Sequence, residues 1–261
     1  MGSRLEGRVA IITGGGSGMG EGQAQTFASE GAVVIVADVR EENCKAVAEG
    51  IVARGLDAGY YQLDVRDQNN WRDIVAYTVD KYRRLDILCN NAGMNFRTDF
   101  HTQTYEQYRQ IIDVNLDGAY RGCKAVGEAM KQSGGGAILN IGSLASSKHG
   151  GGTGYTVSKT GIIALTKNVA LAYAPDKIRC NAVCPGHVDT PFIRDDKEHS
   201  PNNWETTIEN PDNYQRRLST IPLGRFQTPD DVAKAALFLC CEEASMITGA
   251  VLNVDGGTSL V

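Results

Sequence analysis

Short runs of consecutive apolar residues alternate along the chain with longer stretches in which apolar positions recur three or four apart. The runs fall at Val9–Thr13, Ala32–Ala37, Ala58–Leu63, Ile87–Asn90, Ala137–Ile141, Ile178–Val183 and Val251–Val254. Near-continuous apolar character suits strands covered on both faces, as in a parallel sheet. Helical spacing fills the gaps at Gly18–Glu30, Glu41–Arg54, Trp71–Tyr82, Tyr105–Met130, Tyr155–Ala174 and Asp230–Leu239. The first of these keeps Met19, Ala24, Phe27 and Ala28 for one face. A βαβα order predicts an α/β fold, a single-domain Rossmann-type doubly wound parallel sheet over residues 1–261. Thr190–Gly224 is the one long segment without strong periodicity, and a loop of that length in a compact domain usually serves function.

Composition narrows the class. The 261 residues are 42% hydrophobic and 22% charged, too apolar for a disordered chain. A net charge of −5 recommends neither nucleic acid nor an anionic membrane as partner. No apolar run reaches the roughly 20 residues of a membrane helix. Met1–Gly7 is too short and polar for a signal peptide, because Val9–Ile12 already reads as a strand. The cysteines at 44, 89, 123, 180, 184, 240 and 241 form no C-x-x-C pair and suit buried apolar positions in a reducing cytoplasm.

The first strand runs into Thr13-Gly14-Gly15-Gly16-Ser17-Gly18-Met19-Gly20. Glycines there allow a sharp turn and close approach to a pyrophosphate, which then sits at the N-terminus of the following helix. Gly14, Gly18 and Gly20 give G-x-x-x-G-x-G rather than the strict G-x-G-x-x-G. A glycine cluster alone would be a flexible turn; its place after a strand and before a helix favours dinucleotide binding. The second strand ends at Asp38, eighteen residues past Gly20. A carboxylate there accepts hydrogen bonds from adenosine ribose hydroxyls and repels the 2′-phosphate of NADP, so the cofactor expected is NAD. Arg40, two residues on, is the cation that could offset this repulsion. Asp64-Val65, after the third strand, is a weaker signal for the adenine edge.

Tyr155 and Lys159 stand four apart at the start of a helical pattern, on one face. A lysine cation beside a phenol favours the phenolate and equips tyrosine for proton exchange. A Y-x-x-x-K pair is common by chance, and more often a tyrosine resting on a lysine stem. Other motifs accumulate around it: Asn90-Asn91-Ala92-Gly93, Asn115 in Asp113-Val114-Asn115, Ser143 in Asn140-Ile141-Gly142-Ser143, Pro185-Gly186, and Thr190-Pro191. In this order and near this spacing, the chain from about Leu5 onward resembles the short-chain dehydrogenase/reductase family.

The resemblance implies roles. Tyr155 gives or takes the hydroxyl proton, Lys159 lowers its pKa and bonds the nicotinamide ribose, and Ser143 fixes the substrate oxygen. Asn115 interrupts its helix and holds a water that links Lys159 to solvent. Asn91 and Gly93 line the cofactor, while Gly186, Val188 and Thr190 hold the nicotinamide. Residues 190–218 form a lid, and the assembly is a homotetramer joined through Tyr105–Met130, Tyr155–Ala174 and Val251–Val261. Ser143 and Tyr155 are twelve apart, one fewer than the commonest family spacing, which alters the pocket wall at Gly150-Gly151-Gly152.

The expected function is therefore NAD-dependent interconversion of a small secondary alcohol and a ketone. His149 is a candidate substrate contact, though a loop histidine is the commoner role. His187 is expected to place backbone in the cofactor loop. No H-E-x-x-H or Cys/His cluster occurs, so no catalytic metal is expected; His101 and His199 lack partners for one. Ser143 lacks the G-x-S-x-G of a hydrolase. Epimerase and dehydratase relatives usually carry a longer C-terminal substrate domain. A 3-oxoacyl-carrier-protein reductase usually takes NADPH and needs basic residues before the fifth strand; Ser133-Gly134-Gly135-Gly136 offers none, although Lys131 remains. A non-catalytic NAD-sensing regulator has no need of Ser143, Tyr155 and Lys159, and all three are present.

Overall fold

The computed structural model describes residues 3–148, 150–196 and 198–261. His149 lies outside the described residues.

Seven strands form one all-parallel sheet: β1 (Val9–Thr13), β2 (Val33–Asp38), β3 (Ala58–Gln62), β4 (Ile87–Asn90), β5 (Gly136–Ile141), β6 (Ile178–Pro185) and β7 (Val251–Val254). Their order is β3-β2-β1-β4-β5-β6-β7. Register runs from Val9 against Val33 and from Ala10 against Ile87. Helices cover both faces. On one face α1 (Gly18–Ser29), α2 (Glu41–Val52) and α9 (Pro229–Cys240) bury Phe27, Ile51, Val232 and Leu237 against the sheet. On the other, α3 (Gln68–Tyr82), α5 (Gly118–Gln132) and α6 (Thr153–Tyr173) bury Trp71, Ile74, Val126, Met130 and Ala170. The doubly wound α/β fold expected from the alternation is the one formed. The chain leaves β1 toward β2 and later returns to β4 on the other side of β1, so the strand order reverses there. Ligand clefts form at the carboxyl ends of strands around such a switch point.

The structure departs from the sequence pattern in three places. Tyr105–Met130 is not one helix: α4 (Tyr105–Ile112) ends in a wider π turn over Asp113–Asp117 before α5 begins. The apolar period passes through this turn unbroken, so periodicity alone joins the two helices. The β3 strand is an edge strand with only Gly59 fully buried, and its run of residues is half solvated rather than covered on both faces. Thr190–Gly224 is not a bare loop; it holds a short turn, α7 (Pro191–Arg194), and α8 (Pro211–Leu218). Asn210 caps α8 by accepting from Asp212 N, with Pro211 in the first turn where no amide hydrogen is needed. Only Tyr214 and Leu218 give this helix an apolar face, too few for a visible period.

All seven cysteines are free and buried. No helix among the described residues is long and apolar enough to cross a membrane.

Candidate active site

A cleft of about 1260 Å³ opens at the carboxyl ends of β1, β2, β4, β5 and β6. Its floor begins with the glycine turn after β1. Gly14 has a φ of 61°, and a side chain there would strike the Ala92 backbone. A Cβ on Gly20 would lie 2.1 Å from Gly14 O, so only glycine lets the first turn of α1 close onto the loop. Gly20 therefore shapes the turn from behind, whereas Gly14, Ser17, Gly18 and Met19 face the cleft. Ser17 precedes α1 without a capping hydrogen bond to it, and backbone N–H groups at such a helix start suit an anion.

Asp38 is buried at the end of β2. One carboxylate oxygen accepts from Gly16 N at 3.1 Å and the other from Arg40 N at 3.0 Å. Arg40 Nε stands 3.8 Å from the same carboxylate and has no hydrogen-bond partner. Asp64 and Val65 line the cleft beyond Asp38. The Arg66 guanidinium beside Asp64 holds that carboxyl below its ordinary range.

Asn91 lines the cleft but spends its amide on the loop, donating to Thr13 O and Gly14 O and accepting from Gln23 Nε2. Thr13 and Gln23 carry no motif of their own, yet they fix the glycine turn. Thr13 Oγ1 accepts from both Asn91 N and Ala92 N at 3.1 Å. On the far side, Gly186, Val188 and Thr190 line the cleft after β6. Gln227 holds this loop by accepting from Gly186 N at 2.8 Å. His187 O accepts from Gln227 N at 2.9 Å, and its ring leans on Phe226. Burial, aided by Arg217 and Arg216, pulls the His187 imidazole down to about 4, so it is neutral at physiological pH.

The chemical end is built on α6. Tyr155 and Lys159 project from successive turns into the cleft, opposite Ser143 at the end of β5. Burial pushes the Tyr155 phenol above its ordinary pKa; the Ser143 hydroxyl and the Arg97 charge pull it back. Lys159 is buried, and burial lowers its ammonium to about 8. It donates to Ile141 O at 2.8 Å and lies 5.8 Å from the Tyr155 ring centre. Ser143 Oγ accepts from Ala145 N at 3.1 Å, which fixes the hydroxyl. Ser146, unremarked in the sequence, joins these pieces: its Oγ accepts from Ser143 N and donates to Lys159 O.

Asn115 does not face the cleft. In the π turn its side chain accepts from Met94 N at 2.8 Å and donates to Met94 O and Ser158 Oγ. It thereby ties the segment after β4 to α6, one residue from Lys159. Gly93 sits between them: a Cβ there would lie 3.5 Å from Asn115 Oδ1 and 3.6 Å from Lys159 Nζ.

Phe192, Ile193, Thr206 and Arg217 line the cleft on the side where Phe192 approaches the Tyr155 ring. Ile193, Ile208, Ile221 and Phe226 form an apolar cluster separate from the two main cores. Arg97 bridges to this side by donating to Phe192 O at 2.6 Å and Ser200 Oγ at 2.8 Å. His199 is less isolated than its sequence setting implies, with Asp196 3.9 Å and Glu198 3.8 Å away. Among the described residues no three His, Cys, Asp or Glu side chains gather as a metal site.

These residues fit a nicotinamide dinucleotide. The glycine turn admits close backbone approach, the start of α1 suits a pyrophosphate, and Asp38 retains acceptor capacity at the cleft edge.

Known proteins agree with this architecture. The profile of the family described as enoyl-(acyl carrier protein) reductase matches residues 14–259. The chain is 36% identical over 261 residues to 2,5-dichloro-2,5-cyclohexadiene-1,4-diol dehydrogenase LinX of Sphingobium indicum, covering 100% of this chain and 99% of that protein. It is 38% identical over 258 residues to the 3-oxoacyl-(acyl-carrier-protein) reductase FabG of Thermotoga maritima, covering 97% and 98%. The solved structure of gox2181 superposes with a TM-score of 0.90 at 31% identity, covering 99% and 98%.

Proposed function

The chain belongs to the short-chain dehydrogenase/reductase family, an oxidoreductase family whose dehydrogenases use nicotinamide cofactors, and we propose that it interconverts a secondary alcohol and a ketone with NAD. One observation carries the proposal: Tyr155, Ser143 and Lys159 share a cleft with the glycine turn and Asp38. Dinucleotide, proton donor and substrate oxygen can therefore meet in one space.

When bound, the nicotinamide supplies or accepts the hydride. Gly14, Ser17, Gly18 and Met19 would hold its pyrophosphate, Asp38 its adenosine ribose, Asp64 and Val65 its adenine, and Asn91, Gly93, Gly186, Val188 and Thr190 the nicotinamide side. Ser143 Oγ donates to the substrate oxygen and fixes its position. Tyr155 Oη gives a proton to that oxygen in reduction and takes it in oxidation. Lys159 Nζ would favour the ionised phenol by its charge and would hold the nicotinamide ribose. The Ile141 carbonyl keeps that ammonium in place. Acid/base groups of this kind typically contribute about 10²–10⁴-fold.

NAD is favoured over NADP because the buried Asp38 carboxylate occupies the site of the 2′-phosphate. Exposed Tyr105, Tyr120, Val157 and Leu171 on α4, α5 and α6, with Val251 and Leu252 on the edge strand, support a homotetramer. Buried free cysteines suit a reducing cytoplasm.

A 3-oxoacyl-carrier-protein reductase is the second reading, favoured by the Thermotoga relative. Against it stand Asp38 and the fate of Lys131, whose ammonium is paired with Asp176 at 2.9 Å. A spectrophotometric screen for nicotinamide reduction, with secondary alcohols and with carrier-bound 3-hydroxyacyl chains, separates the readings. Turnover of small alcohols with NAD supports the first; turnover of carrier-bound chains alone with NADP supports the second. No turnover with any of them favours a sensor.

A further inference from the structure

Three arginines, Arg97, Arg216 and Arg217, line the substrate end of the cleft. None of them ion-pairs with a carboxylate among the described residues; their hydrogen bonds go to carbonyls, Ser200 and Asn213. Burial, and then the Arg217 charge, lower Arg97 to about 10, so it stays cationic at neutral pH. Gathering like charges in a partly dry cleft is costly unless an anion completes the set.

Arg97 is held in a demanding conformation. Its φ is 55°, a region that side-chain-bearing residues seldom enter, and Asn95 Oδ1 accepts from its backbone N at 3.0 Å. Its guanidinium lies 5.4 Å from the Phe192 ring centre, and Phe192 lies 6.3 Å from the Tyr155 ring. One Nη donates to Phe192 O and Ser200 Oγ, while the buried Nε has no partner. The carboxylates nearby are engaged in their own turns: Asp196 Oδ1 accepts from Glu198 N and His199 N, and Asp99 Oδ1 from His101 N and Thr102 N.

We propose that Arg97, together with Arg216 and Arg217, forms an anion subsite that takes a carboxylate on the substrate. The proposal rests on Tyr155 as the proton donor and adds the substrate class, a hydroxy or oxo acid. A planar guanidinium matches a carboxylate edge.

The test uses ligands that cannot react. Cyclohexanecarboxylate, cyclohexanecarboxamide and cyclohexyl phosphate are titrated calorimetrically into the protein, with and without NAD. The carboxylate should bind about tenfold or more tightly than the amide, as charge-assisted bonds exceed neutral ones. Arg97→Gln should remove that preference. If Arg97→Gln fails to fold, Arg217→Gln should reduce the preference several-fold. Equal affinity for acid and amide, including no binding of either, overturns the proposal, as does an unchanged preference in the folded variant. Tighter binding of the phosphate overturns the carboxylate assignment. Turnover of 4-hydroxycyclohexanecarboxylate is measured separately: failure there with the binding preference intact counts against the role of Tyr155, not against the subsite.

Discussion

The ammonium of Lys159 lies 5.8 Å from the centre of the Tyr155 ring and is anchored on the Ile141 carbonyl at 2.8 Å, not on the phenol. The groups that favour the phenolate here are the Ser143 hydroxyl and the Arg97 charge; lysine would act on the tyrosine only through space. Burial raises the phenol, so at neutral pH Tyr155 is protonated, the form that the proposed reduction of a ketone requires. Alcohol oxidation needs the phenolate and should accelerate from neutral into alkaline pH, while reduction slows over the same range. Burial lowers the Lys159 ammonium to about 8, so its charge favours the phenolate only below that pH, and Lys159→Met should slow oxidation most near neutral pH. Rate profiles under conditions where hydride transfer limits turnover check this. A flat oxidation profile contradicts it.

Cofactor choice should turn on Asp38. Charge-assisted hydrogen bonds from ribose hydroxyls to its carboxylate are worth roughly 1.5–3 kcal/mol. A 2′-phosphate loses these bonds and meets like charge. Arg40, already 3.8 Å from the carboxylate, softens the repulsion. Asp38→Ala should thus weaken NAD and narrow the gap to NADP, whereas Arg40→Ala should widen it. Values of kcat/KM for both cofactors decide; an unchanged ratio in Asp38→Ala refutes this role.

The cover over residues 190–218 should tighten when ligands bind. Ile193 and Ile208 of this segment pack with Ile221 and Phe226, from the chain that follows it, in a cluster that is small and separate from the main cores, so the segment can shift without disturbing the sheet. Hydrogen exchange in this segment should slow when NAD and substrate are both present. Equal exchange in both states speaks against closure.

The alternation of apolar runs with helical spacing made the doubly wound sheet legible, since each strand of the interior is short and buried on both faces. The glycine turn, Asp38 and the Tyr155–Lys159 spacing were legible because local geometry imposes them. Other features depend on contacts far along the chain. The π turn at Asn115 leaves the 3.6-residue pattern intact while shifting one turn toward Met94 and Ser158. Arg97 has no local signature; it matters because Phe192 and Ser200, about a hundred residues later, fold over it. Thr13, Gln23 and Ser146 act through hydrogen bonds to backbone and side chains that spacing does not reveal. The start of α3 at Gln68 was marked by Asp67, which accepts from Asn69 N, a cap hidden behind the more visible Trp71.

The most direct measurement of the central claim is the Tyr155→Phe variant, assayed for reduction of NAD by a secondary alcohol that the native protein oxidises, alongside NAD binding. Removing one oxygen leaves the ring against Phe192 and the fold of α6 in place. Turnover should fall by about 10²–10⁴-fold or more, with NAD affinity nearly unchanged. Near-native turnover in Tyr155→Phe would show that another group carries the proton and would contradict the account.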